Sequence, residues 1–429
     1  MKKVFLSILF ISSLIACNTE QMPRQTTQDT VKEVSSSKPA LEREFVKDKV
    51  LGMLIGSAIG DAMGAPTEMW SREAIRIEYG FVNDLDTMVR EPSAEGTWVF
   101  NLPAGGTTDD TRWKKFMGEF LLNQTAWANL NAHDFARHII QQYENDIAEL
   151  KKTESFDPEP FEVNVRKLAW LQEWAMVAKP FVEDDLQAYT YALSKFYGGE
   201  MTCAGMLYSP SIGAFYPAAP KKAYEEAYRL SLFDLGYARD ISALTAALVS
   251  SAMAPEATPA TIINSVRDID PQGYFKSRLV GRTAYRLLKD ARSIVYQARQ
   301  FQMDGLNTHK LNIPGEKDTL EWMQMQKAYE LLDSKNQDMP FHAGEIHLVN
   351  LTALLFCDFD FEKSLAFVIN FGRDNDTTAA VTGAILGAYY GADRLPDKMV
   401  NQVLEVNKGM LETDLETLAE KLTNKIINA

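Results

Sequence analysis

The sequence predicts an all-α protein, built as a single large orthogonal helical domain. Three observations carry that expectation. Nine stretches place apolar residues at helical spacing. No series of alternating strands and no βαβ rhythm accompanies them. Two of the stretches repeat glycine every fourth residue, a pattern that brings helix backbones close together.

The chain opens on a segment outside the fold. Lys2 and Lys3 precede the apolar run Val4–Ala16, which is too short to span a bilayer comfortably and has the form of a signal peptide. The run ends Leu14-Ile15-Ala16-Cys17, which resembles the bacterial lipobox, whose cysteine is acylated and becomes the new N-terminus. The expectation is a lipoprotein signal over 1–16, with a plain secretory signal and a chance cysteine as the alternative. Removing Lys2 and Lys3 would take the formal charge from −14 to −16. Residues 17–43 are rich in Thr, Gln, Ser and charge, carry Pro23 and Pro39, and read as a flexible tether. Residues 44–429 form the expected domain, an exported, lipid-anchored body in the periplasm or at the outer membrane.

Within that body the first expected helix is Phe45–Met63, with Gly52, Gly56, Gly60 and Gly64 along one stripe. Trp113–Leu130, Phe161–Ala178, Lys221–Met253, Gly281–Met303, Leu320–Leu332 and Phe361–Asn370 follow. Thr378–Tyr390 repeats the device with Gly383, Gly387 and Gly391 beside Ala380, Ala384 and Ala388, and Asp397–Ile427 closes the chain. Each glycine costs a helix about 1 kcal/mol, so a repeated stripe implies two central helices packed backbone to backbone. Asp61 lies near the end of the first and Asp374 and Asp376 at the start of the second, so neighbouring helices would build an acidic pocket at one end of the core.

Composition is that of a globular protein, 46% hydrophobic and 24% charged. A net charge of −14 argues against nucleic acid as a partner. Beyond Cys17, only Cys203 and Cys357 remain. They are expected to be buried apolar residues, with a single disulfide as the alternative.

Two acidic stretches stand apart from this background. Gly105-Gly106-Thr107-Thr108-Asp109-Asp110-Thr111 and Gly372-Arg373-Asp374-Asn375-Asp376-Thr377-Thr378 each crowd two carboxylates and hydroxyls beside glycine. Helix capping explains either one alone. Two together offer an all-oxygen donor set suited to a hard cation such as Mg²⁺, which would offset the repulsion between neighbouring carboxylates. An EF-hand fails, because the sixth position from Asp374 is Ala379 and the twelfth is Ile385. No His-Glu-x-x-His, no Cys-x-x-Cys, no phosphate-binding Gly-Lys-Ser/Thr loop and no Gly-x-Ser-x-Gly elbow occurs. His133, His138, His309, His342 and His347 form no metal pattern; only His342 and His347, which precede the second stretch, retain a claim to line a pocket.

At this point the residues resemble a known family. Gly60-Asp61-Ala62-Met63-Gly64-Ala65-Pro66 with Glu68, then Gly106–Thr111, then Gly372–Thr377 followed by Gly383–Ala388, look like the ADP-ribosylglycohydrolase family. That family includes the enzyme that reactivates ADP-ribosylated dinitrogenase reductase. The resemblance spans about residues 48–396 and implies an all-α fold around two Mg²⁺ ions, with Mn²⁺ as a substitute. It implies metal ligation by Thr108, Asp109, Asp110, Asp374, Asp376 and Thr377. Asp61 would orient ligands or meet substrate, or else tie helix ends together, and Gly106 would approach substrate. Arg373 departs from the pattern, standing where the family has a small residue; it either reaches toward a phosphate or carboxylate of the substrate or is solvated or ion-paired. Glu68, Asp109 and Asp110 are the candidates for taking the proton of the attacking water. The implied reaction is hydrolysis of the bond between C1 of the distal ribose and its leaving group. The substrate would be a small molecule or an ADP-ribosylated side chain.

The middle of the chain departs from the pattern. Cys203-Ala204-Gly205-Met206-Leu207-Tyr208-Ser209-Pro210 places Leu207 where many members have arginine, and Phe233–Asp240 lacks a histidine common in the family. Trp98, Tyr208, Phe215 and Tyr216 are candidates to stack on a base or sugar, with core packing the expectation for most of them. Hydrolysis of another N- or O-glycoside on the same fold, and a non-catalytic binding role, are the competing readings.

Overall fold

Two helices lie against each other along their glycines, and the rest of the molecule is arranged around them. The computed structural model describes residues 40–89, 101–152, 158–277, 279, 281–302 and 319–428. The expected signal peptide, Cys17, most of the tether, Trp98 and His309 lie outside these residues. The glycine stripes of α1 (Arg43–Gly64) and the last-but-two helix, Asn375–Tyr390, meet in antiparallel register. A Cβ on Gly52 would fall 2.4 Å from the Gly387 carbonyl oxygen, one on Gly56 2.3 Å from that of Gly383, and one on Gly60 2.1 Å from that of Ala379. No side chain larger than hydrogen fits at those crossings. α1 is long and apolar enough to cross a membrane, yet it is buried within this fold.

Among the described residues the remaining helices follow in order. They are α2 (Arg72–Glu78), α3 (Asp109–Leu122), α4 (Ala132–Lys152), α5 (Pro158–Val182), α6 (Leu186–Leu193), α7 (Ala204–Phe215), α8 (Pro220–Leu230) and α9 (Tyr237–Ala252). Then come α10 (Pro259–Asp268), α11 (Thr283–Arg299), α12 (Thr319–Asp333), α13 (Ala343–Phe356) and α14 (Phe361–Phe371). The stripe helix is α15 (Asn375–Tyr390), followed by α16 (Asp397–Met410) and α17 (Leu415–Ile427). The only strands among the described residues are β1 (Met88–Val89) and β2 (Asn101–Leu102), an antiparallel pair matching Met88 with Leu102. The fold is all-α.

Several expected helices divide or shift, each for a local reason. The stretch Lys221–Met253 breaks into α8 and α9 at Gly236, whose φ of +55° no helix accommodates. Asp397–Ile427 breaks at Glu412, also at positive φ, and α17 restarts under Asp414, whose side chain accepts from the Thr417 amide. The stretch from Trp113 begins earlier than expected, because Thr108 caps α3, and ends at Leu122 rather than Leu130. α2, α4, α6, α7, α10 and α13 were not anticipated; in α7 and α13 nearly every residue is buried, so neither shows a polar face to reveal its period.

Candidate functional site

The site forms where the two stripe helices end. Gly64 at the end of α1 lies so close to the start of α15 that a Cβ there would fall 2.4 Å from Cα of Asp376. The glycine stripe therefore does more than pack helices: it sets the second acidic stretch directly against the end of α1.

Asp61 locks the first stretch to the same place. It is fully buried on α1. One carboxylate oxygen accepts from the Thr108 amide and hydroxyl, both at 2.9 Å, and the other from the Thr111 amide at 2.9 Å and hydroxyl at 2.6 Å. Four donors on one side chain fix the loop that carries Asp109 and Asp110. Asn407 of α16 holds the loop from behind, accepting from the Thr107 hydroxyl at 2.6 Å and donating to the Gly105 carbonyl at 3.3 Å.

Glu68 is brought in by backbone pairing. The Met69 amide donates to the Arg373 carbonyl at 2.8 Å and the Arg373 amide to the Trp70 carbonyl at 2.9 Å, with Gly372 and Arg373 both at positive φ. The Asn375 amide group donates to the Thr67 hydroxyl at 2.9 Å. The segment after α1 and the segment before α15 are thus stitched into one rim.

The two acidic stretches touch directly. The Thr108 hydroxyl, whose proton points to Asp61, also lies 3.3 Å from Asp376, and the Thr377 hydroxyl donates to Asp110 at 2.9 Å. Burial, then the charges of Asp110 and Asp376, push the Asp61 carboxyl up to about 7. Burial, then Asp376, Asp110 and Glu68, push the Asp374 carboxyl well above the usual range. Such crowding of acids is unfavourable as it stands and is relieved by a bound cation.

Glu68, Asp109, Asp374, Asp376 and Thr377 face one cavity of about 130 Å³. Its far wall is Trp174, Tyr197, Phe341, Leu207 and Met69, with Thr202 and Cys203 between. The wall is held by a backbone bridge in which the Cys203 amide donates to Phe341 and the Ala343 amide to Met201. Burial, then Asp374, push the Cys203 thiol well up, and Cys203 and Cys357 are both buried free thiols. A larger cavity of about 540 Å³ lies beside α3, α4 and α5, but Arg112, Lys115, Lys152 and Lys167 there face Glu119, Asp146, Glu149 and Glu412, and no motif residue reaches it.

As a metal site the donor set is oxygen only, the chemistry a hard cation requires. Among the described residues, no three His, Cys, Asp or Glu side chains already stand at metal-holding spacing. The carboxylates are interleaved with threonine hydroxyls instead, and the hydroxyl protons now bridge oxygens that a cation would share. The crowded carboxylates and the two hydroxyls fit such an ion.

Other expected residues sit elsewhere. Asp61 is sealed behind the loop rather than facing the cavity, because all four of its hydrogen bonds go to the loop backbone and hydroxyls. Gly106 is buried beneath Leu102, which would collide with any Cβ there. The Arg373 guanidinium does not line the cavity; it pairs with Glu345 at 2.6 and 2.9 Å and with the Gln337 carbonyl at 2.6 Å. His342 caps α13, accepting from the Gly344 amide, and His347 is buried in the core. Tyr208, Phe215 and Tyr216 are core residues. The aromatic wall comes instead from Trp174, Tyr197 and Phe341, which are far apart in sequence and carry no shared motif. Lys114, one turn after Asp110, is also new: its ammonium lies 2.9 Å from Asp110, and both side chains are 1% exposed.

Comparison with known proteins places the chain in a family. The sequence description of the ADP-ribosylglycohydrolase family matches residues 42–429. The chain belongs to the ADP-ribosylglycohydrolase family. A solved structure titled ADP-ribosylglycohydrolase-related protein complex superposes with a TM-score of 0.54 over 89% of this chain and 99% of that one, at 17% identity. That likeness is one of fold. The Escherichia coli (strain K12) protein named "Uncharacterized protein YegU" is 32% identical over 77 residues. The match covers 18% of this chain and 22% of that protein's length. Family and fold together imply a glycohydrolase-like enzyme.

Proposed function

We propose that this protein is a Mg²⁺-dependent hydrolase that cleaves the glycosidic bond at the ribose of ADP-ribose conjugates or of a related ribosyl compound. The observation that carries the reading is the convergence of Glu68, Asp109, Asp374, Asp376 and Thr377 on one cavity with an aromatic wall. Thr108, Asp109, Asp110, Asp374, Asp376 and Thr377 are the residues that would hold the metal, with Mn²⁺ as a substitute. When bound, the metal supplies a Lewis acid that engages sugar hydroxyls and lowers the pKa of a water.

The chain's own residues do the rest. Asp61 fixes the Thr108–Thr111 loop, so the carboxylates are held in place before substrate arrives. The cavity carboxylates stabilise positive charge developing at the ribose as the glycosidic bond breaks. Trp174, Tyr197 and Phe341 offer apolar faces to the sugar or the group it leaves. Glu68 stands outside the two acidic stretches and takes the proton from the attacking water. Asp109 is the alternative base; Asp110 is less suited, because Lys114 and Thr377 engage its oxygens. The cavity is smaller than the roughly 300–1,000 Å³ of sites that enclose drug-sized ligands, so it takes a sugar ring while the rest of a conjugate projects outward.

A second reading, hydrolysis of another N- or O-glycoside such as a nucleoside, is favoured by one observation. Leu207 occupies the wall, and no Lys, Arg or His is among the described residues lining the cavity, so no described side-chain cation stands ready for a pyrophosphate. A panel of ADP-ribosyl-arginine, ADP-ribosyl-serine and nucleosides, assayed with Mg²⁺ and with EDTA, separates the two. Cleavage confined to nucleosides would sink the first reading. The protein is proposed to act on small-molecule or ADP-ribosylated substrates and not on nucleic acid. It is proposed to be exported and anchored by an acylated Cys17, in the periplasm or at the outer membrane; a mature N-terminus at any other residue would rule that out.

A further inference from the structure

We propose that the Lys114 ammonium takes the place of one divalent cation at this centre, so that the chain binds a single ion where the family resemblance implies two. The inference rests on reading the acidic cluster as a metal centre and adds to it a specific composition.

Lys114 and Asp110 lie one turn apart on α3 and face the same way. Both side chains are 1% exposed, and their charged atoms are 2.9 Å apart. A buried ammonium is tolerated only when a charge of opposite sign meets it, and here that charge is an expected metal ligand. Lysine brings a compact fixed positive charge on a flexible stem, which is what a small cation would otherwise supply. The helix is held in this position by α7, whose Ser211 hydroxyl donates to the Lys114 carbonyl at 3.0 Å. With its side chain 1% exposed, Lys114 has little room to withdraw.

Both oxygens of Asp110 are engaged, one by Lys114 and the other by the Thr377 hydroxyl at 2.9 Å. A divalent ion bound through the first oxygen would stand within about 5 Å of the ammonium, where like charges in a poorly solvated interior repel strongly. Asp109, Asp374 and Asp376 face the cavity together; with Thr108 beside them and water, they would hold one ion, which characteristically keeps part of its hydration shell. Lys114 does not line the cavity, so its role is to set the charge and occupancy of the centre rather than to touch substrate.

The test is a count of bound metal on the purified protein. Wild type, Lys114→Met and Lys114→Arg are dialysed to equilibrium against Mn²⁺, and bound manganese per chain is measured together with the electron paramagnetic resonance spectrum. One ion per chain is expected in wild type and in Lys114→Arg, without the signature of a spin-coupled pair. Two ions and a coupled spectrum are expected in Lys114→Met. Two ions in wild type overturn the inference whether or not the variants fold. A count that stays at one in a folded Lys114→Met also overturns it. No bound manganese in any of the three refutes the metal centre itself, a distinguishable failure that takes this inference with it.

Discussion

Replacing Gly383 by alanine tests the backbone contact on which the site is built. The new Cβ would sit 2.0 Å from the Gly56 carbonyl oxygen, whereas carbon–oxygen contacts of this kind are comfortable at roughly 3.3 Å. The α1 and α15 backbones must part by about 1 Å to relieve the clash. Overpacking a close-packed core costs about 1–3 kcal/mol, at times more. Alanine returns about 1 kcal/mol of helix propensity. Because the opposing atom is backbone and cannot swing aside, the cost is placed at the upper end, for a net loss of about 2 kcal/mol. Gly409 in α16 is the control, since a Cβ there meets nothing within 4 Å. Gly409→Ala should gain up to about 1 kcal/mol, leaving the two variants about 3 kcal/mol apart. Urea unfolding followed by circular dichroism at 25 °C reads the difference. Equal shifts of the same sign in both variants would refute the claim that the glycines mark a backbone-to-backbone contact.

Other perturbations probe the site and its supports. Asp61 and Asp374 hold protons above the usual carboxylate range when no metal is present. The folded chain then keeps protons that the unfolded chain releases, so its stability falls as pH rises from about 4 towards 7. Added Mg²⁺ must displace those protons, so its stabilisation should grow over the same window, read as melting temperature with and without Mg²⁺ at both ends; a constant increment would contradict this. His347 is pushed down to about 3 by burial and then by the Arg282 charge. The unfolded state gains a proton there first, so acid destabilises the fold below about pH 6.5, and His347→Leu should gain roughly 3 kcal/mol on wild type between pH 7 and pH 4. An advantage that does not change with pH would show that His347 is not held neutral. Arg373→Ala strips a buried Glu345 of its partner and should cost about 2 kcal/mol of stability. A raised KM with unaltered stability would instead place that guanidinium on substrate.

How much of this was legible in sequence depended on whether a residue's role was local. The glycine stripes announced the α1–α15 pair because close packing leaves a periodic trace, and the acidic stretches announced themselves because their donors are neighbours in the chain. α7 and α13 left no trace, since a helix buried on every side has no polar face to set its period. The aromatic wall was invisible for a different reason. Trp174, Tyr197 and Phe341 meet only through the folding of α5, the turn after α6 and the approach to α13. Of the two readings of Arg373 the ion pair is the one the structure shows, but its partner Glu345 could not be named because it lies 28 positions away. Lys114 was readable in principle, four residues after Asp110 on a capped helix, where a lysine on the same face as a catalytic-type aspartate predicts an ion pair. Nothing in the chain said that the pair would be buried.

The most direct test of the central claim is hydrolysis by the purified wild-type protein beside Asp109→Ala combined with Asp376→Ala. Each is assayed on the ADP-ribosyl conjugates and nucleosides with Mg²⁺ and with EDTA. The account predicts release of the ribosyl product by wild type with Mg²⁺ only, and none by the double variant. Equal release in EDTA or by the double variant, or no cleavage of any substrate by folded wild type, would contradict it.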